Sequence, residues 1–162
     1  MVERRVVRVL VGAMAVAVAA VAMASPATGT ARTAGGVPAG VYRGTVTDPG
    51  GDPGTYAVRI RIAAQPLRPG HRAGTVLYQA AADEETGAPA LHCTGTLSFR
   101  SRRGTRSVFR ETIAGGAGRE CLTGGTVTLT RRGTATLGYR WSRPGTTIPP
   151  PTATLTRQGG AS

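Results

Sequence analysis

The chain has no lysine. All 20 of its basic residues other than histidine are Arg, set against 8 Asp or Glu, and aromatics are scarce, with one Trp, two Phe and four Tyr in 162 residues. Cysteine and histidine are rarer still, at two each. Each shortage excludes a class of function. Kinase chemistry is absent: no VAIK-type lysine, no HRD or DFG triplet and no glycine-rich nucleotide loop opening a β-α unit. His71 sits in a Pro-Gly turn and His92 on a strand, and with both cysteines reserved for each other they make no zinc site, so no metal and no cofactor is expected. Ser98, Ser101 and Ser107 lie near His92 in sequence without a nucleophile elbow, so no catalytic residue is assigned. So few aromatics also argue against a large apolar calyx, because an eight-stranded barrel can simply fill with side chains. No segment keeps a 3.6-residue apolar period long enough for a helix.

Arg4, Arg5 and Arg8 form a basic head, an uncharged Ala-rich run extends from Val9 to Met23, and Ala22-Met23-Ala24 precedes Ser25. This is the pattern of a cleavable export signal over residues 1–24, and the run is shorter than the roughly 20 residues of a membrane helix. An uncleaved N-terminal anchor is the competing reading; with cleavage, no stable membrane span remains. Removing three Arg and one Glu with the signal leaves 17 Arg against 7 acids, a net charge of +10. Such a protein is drawn to polyanions, including anionic cell-wall polymers, although the Ala, Gly and Arg excess also reads as the imprint of a GC-rich genome. A secreted or cell-wall-associated location follows, and there Cys93 and Cys121 are expected to form one disulfide.

Residues 25–39 are Ala, Gly, Thr and Pro, a flexible lead-in, and a single domain is expected over 40–158 with a disordered tail at 159–162. Within the domain the alternation is β. In Thr55 to Ile62, Tyr56, Val58, Ile60 and Ile62 take one face and Arg59 and Arg61 the other. The theme recurs at Val41 to Thr47, Gly74 to Ala80, Leu91 to Phe99, Thr105 to Ile113, Gly125 to Thr130, Thr134 to Trp141 and Thr152 to Arg157. "RSRRG", "AGGAGRE", "RRG" and "SRPGTTIPPP" are read as connections. Eight strands with short links predict an all-β, antiparallel up-and-down meander, closed or nearly closed into a barrel, with a two-sheet sandwich as the alternative. Cys93 falls at the end of the fourth and fifth strands' hairpin opposite its turn, and Cys121 follows the loop at that end.

On these strands the segments "YRGTVT", "GTVLYQ", "CTGTLSF", "FRETI", "CLTGGTVTLT", "LGYRW" and "ATLTR" resemble a small extracellular β-domain of actinobacteria. That domain occurs as stand-alone secreted proteins and at the outward-facing C-terminus of membrane Ser/Thr kinases. The resemblance spans Tyr42 to Arg157 and implies a secreted or wall-exposed sensor or binding module with one disulfide. It brings no catalytic residue.

Three features are candidate sites. Glu111 lies between Phe109 and Ile113 on the face that should point inward, and a buried carboxylate must be paired, protonated or turned out by a bulge. The partners considered are Tyr78, Tyr139 and Arg43; a ligand-contacting acid, with Tyr78, Tyr139 and Trp141 around it, is the functional alternative. Arg100, Arg102, Arg103 and Arg106 crowd one hairpin as a candidate anion-contact patch, competing with a solvated turn. No aromatics are interleaved there, so sequence-specific nucleic-acid binding is not expected. Asp48 and Asp52 in "DPGGDPG" and the run Asp83 to Thr86 lack the ligand density of a calcium loop. The leading expectation is a non-enzymatic binding module. A protease inhibitor using the segment before Val41 as its arm and a lipocalin-like small-ligand carrier are the alternatives, and a protein partner fits the first two.

Overall fold

A computed structural model describes residues 36–50, 54–85, 87, 89–118 and 121–159. The expected export signal, most of the lead-in, Asp52, Thr86 and the last three residues lie outside that range. Eight strands follow in order: β1 Gly40–Thr47, β2 Thr55–Ile62, β3 Arg72–Ala80, β4 Leu91–Arg103, β5 Arg106–Gly118, β6 Thr126–Arg131, β7 Thr136–Ser142 and β8 Thr152–Arg157. Each pairs antiparallel with the next, and β1 pairs with β8, closing a barrel in simple sequence order. The two-sheet sandwich is thereby set aside. Closure satisfies the backbone groups that two open edges would expose.

The period-two pattern dictates what faces in. Tyr42, Ile60, Leu97, Phe109, Leu129 and Leu155 are all fully buried, while the alternate positions Arg43, Arg59, Arg61 and Arg110 are exposed. The centre of the barrel is therefore occupied by side chains. One rim carries the β2–β3 link, the β4–β5 turn and the β6–β7 turn, and we call it the hairpin rim. Val37 is 4% exposed and packs into the core there, ahead of β1. The Tyr42 hydroxyl donates to the Pro38 carbonyl at 2.9 Å, and Arg157 Nη2 donates to the Ala39 carbonyl at 2.8 Å. Residues 36–39, read from sequence as part of the lead-in, are thus fastened to the barrel.

The β4–β5 hairpin is longer than its sequence suggests. "RSRR" is strand up to a tight turn at Gly104, and "AGGAG" is strand paired with the start of β4, Cys93 opposite Gly116. Weak β propensity yields here to cross-strand pairing and to the Cys93–Cys121 disulfide, whose Cα atoms are 5.7 Å apart. β6 reaches only as far as Arg110 on β5. Beyond it, the Glu111 amide donates to the Gly125 carbonyl at 2.9 Å and the Ile113 amide to Thr123 Oγ1 at 3.2 Å, so the segment after the disulfide covers that edge.

Candidate functional site

Four residues singled out from the sequence meet inside the barrel. Glu111 comes from β5, Tyr78 from β3, and Tyr139 and Trp141 from β7. Glu111 is 1% exposed. Its Oε1 accepts from the Tyr78 hydroxyl at 2.5 Å and its Oε2 from Trp141 Nε1–H at 2.7 Å. Tyr78 spends its one proton on the carboxylate, so the Tyr139 hydroxyl, 3.0 Å away, donates to the Tyr78 oxygen. Tyr56 sets its ring edge-on to that of Tyr78, with centroids 5.7 Å apart. The carboxylate therefore links three non-adjacent strands across the interior.

Arg43, considered from sequence as a partner for Glu111, is instead exposed on the outer wall, because its parity along β1 is opposite to that of buried Tyr42. Both donors to Glu111 are neutral. Burial raises its pKa above the usual 4.5, and the hydrogen bonds from Tyr78 and Trp141 pull it only partly back. The arrangement can hold a proton or a charge on Glu111, but it offers no open face on which a substrate could meet the carboxyl.

Sequence reasoning missed Gly125, which makes the indole contact possible. A Cβ at Gly125 would overlap Trp141 Nε1 and the adjoining ring carbons. Gly125→Ala is therefore expected to push the indole off Glu111 and leave the carboxylate one donor. The loss should be about 1–3 kcal/mol in urea unfolding, with a shift in emission from the chain's single Trp. Unchanged emission would refute the geometry.

The remaining candidates separate. Arg100, Arg102, Arg103 and Arg106 are all exposed on the β4–β5 hairpin, with Arg103 directly opposite Arg106 at its tip. His92 and Ser98 lie six residues apart along β4, roughly 20 Å, and form no dyad. Ser101 is exposed, whereas Ser107 is fully buried with no hydrogen-bond partner for its hydroxyl among the described residues. Asp48 Oδ1 accepts from the Gly50 amide and Asp83 Oδ1 from the Glu85 amide, so both acidic stretches build turns. Among the described residues no three of His, Cys, Asp or Glu gather as a metal site.

Charge is sorted along the barrel axis. Asp48, Asp83, Glu84 and Glu85 all lie in the β1–β2 and β3–β4 links at the rim carrying the disulfide, where Arg143 of the β7–β8 link is also placed. The opposite hairpin rim holds Arg68, Arg72, Arg102, Arg103, Arg132 and Arg157, and the wall between adds Arg43, Arg59 and Arg61. Arg43 stands directly across from Arg59 on the neighbouring strand, a like-charge pair that costs stability unless an anion relieves it. Comparison with known proteins returns no match among family models, curated proteins or solved structures.

Proposed function

We propose that this chain is an exported, non-enzymatic binding module that grips a linear polyanion with the arginine-bearing wall and hairpin rim of the barrel. The observation that carries the reading is the sorting of charge: among the described residues the carboxylates outside the interior gather at one rim, where Arg143 joins them, while arginine without a carboxylate occupies the wall and the other rim. Guanidinium groups held on strands are rigidly spaced donors for phosphate, sulfate or carboxylate. The filled interior supports placing function outside the barrel rather than in a carrier's lumen. The fastening of Val37 and Pro38 leaves the last residues of the supposed inhibitory arm committed to the fold. The disulfide is compatible with an extracellular or cell-wall setting.

Calorimetric titration with heparin over a range of salt concentrations tests the reading. Affinity should fall linearly on a log–log plot. Replacing Arg100, Arg102 and Arg103 with Gln should weaken binding and flatten that slope, because fewer counterions are released per complex. Absence of heparin binding at low salt would sink the proposal.

A further inference from the structure

We infer that the groove crossing the outer wall over β1, β8, β7, β6 and the start of β5 is the specific seat for that ligand, which is a sugar chain carrying carboxylate, sulfate or phosphate groups. The inference rests on the polyanion reading above and goes further by naming the site and the ligand chemistry.

The strand register builds the groove in two rungs. Thr47, Thr152, Arg140 and Thr128 lie side by side across β1, β8, β7 and β6. The next rung runs Thr154, Gly138, Thr130 and Arg106 across β8, β7, β6 and β5. These side chains line an open depression of about 600 Å³. Thr128 reports its depth: its parity is outward, between buried Val127 and Leu129, yet it is only 7% exposed.

Gly138 is where the wall dips. A Cβ there would come within 2.7 Å of Arg132 Nε and 3.2 Å of its Cζ, so the bare backbone of β7 is what lets the Arg132 guanidinium lie along the floor. Three arginines, Arg106, Arg132 and Arg140, thus share one depression whose lining includes no carboxylate. No acid offsets their charge there, and a multivalent anion supplies what is missing. The threonine hydroxyls around them each donate and accept, which suits the hydroxyls of a sugar. Strand geometry repeats them at about 4.8 Å across the sheet and about 6.8 Å along each strand. Tyr139 borders the groove, but its side chain is buried in the interior network, so no ring is offered for stacking a base. That disfavours single-stranded nucleic acid as the occupant.

Gly138→Ala isolates the floor, because the three atoms nearest to an added Cβ all belong to the far end of the Arg132 side chain. The substitution should leave thermal stability unchanged or slightly raised, while weakening a short heparin oligosaccharide by about tenfold. Arg132→Gln should do the same. Thr130→Val with Thr152→Val should weaken the oligosaccharide but leave inorganic polyphosphate, which has no sugar hydroxyls, bound as before. If these variants bind as wild type while the Arg100, Arg102 and Arg103 variant loses affinity, the groove is wrong and the polyanion reading survives. If wild type binds neither probe, both fall. Equal binding of neutral dextran would overturn the requirement for an anion.

Discussion

Reduced protein, or protein carrying Cys93→Ser and Cys121→Ser, should be about 3.5 kcal/mol less stable than the oxidised form. The magnitude follows from loop length: the bridge closes residues separated by 28 positions, and the entropy withheld from the unfolded chain scales with the logarithm of that number. For a domain of this size the loss corresponds to a melting temperature lower by about 10–15 °C. The damage should also be local. The run "AGGAG" at the end of β5 has small residues, only β4 beside it in the ladder, and Cys121 as its clamp. Hydrogen exchange at Ala114 to Gly118 should accelerate on reduction more than at Val127 or Leu129. Equal acceleration everywhere would show that the bridge acts only on the unfolded chain.

The second large effect is in pH. Glu111 has a folded pKa above 4.5, so the native state holds its proton more firmly than the unfolded chain does. The sign is the reverse of a salt-bridged acid: its contribution is fully present below the unfolded pKa and is lost as pH rises through the folded one. Urea unfolding should therefore show stability falling as pH climbs from about 4, and Glu111→Gln should remove that slope. The amide faces Trp141 Nε1–H with one acceptor fewer, so the variant should carry a constant penalty of about 1–3 kcal/mol. A slope that persists in Glu111→Gln would assign it elsewhere.

The same sign governs the phenols. Tyr42, Tyr56, Tyr78 and Tyr139, all four tyrosines in the sequence, have pKa values raised above 10.0, in each case chiefly by burial. The unfolded chain ionises first, so stability drains away above pH 10. The tyrosinate absorption band should stay flat and then appear in one step with unfolding. Separate, gradual steps on a folded protein would contradict the burial of these rings.

Much of this was legible in the residues. Strict alternation in "TYAVRIRI" and "SVFRETI" sets strand, face and the inward aim of Glu111 without any neighbour's help. The number of strands and the brevity of their links favoured an up-and-down meander, closed or nearly closed, and left a two-sheet sandwich as the alternative that the β1–β8 pairing removes. "RSRR" and "AGGAG" misled because loop-like composition says nothing about the partner strand that holds such a stretch extended. Tyr78, Tyr139 and Trp141 could be named beside Glu111 because parity puts all four inside, but Gly125 could not, since its role is to be absent under an indole. The groove was invisible for a similar reason. Thr128, Gly138 and Arg140 belong to different strands and become neighbours only through register, which a one-dimensional pattern does not contain.

The pairing of Tyr42 with Arg157 puts the beginning of β1 and the end of β8 at the same mouth of the barrel. Whatever is tethered to either end of this domain must attach beside the arginines, leaving the sulfur-clamped, acidic mouth as the distal tip. Tags or surface linkages joined close to Gly36 or Gly159 would crowd the cationic side, so immobilisation through an engineered residue in the Asp83 to Glu85 link presents the barrel the right way up.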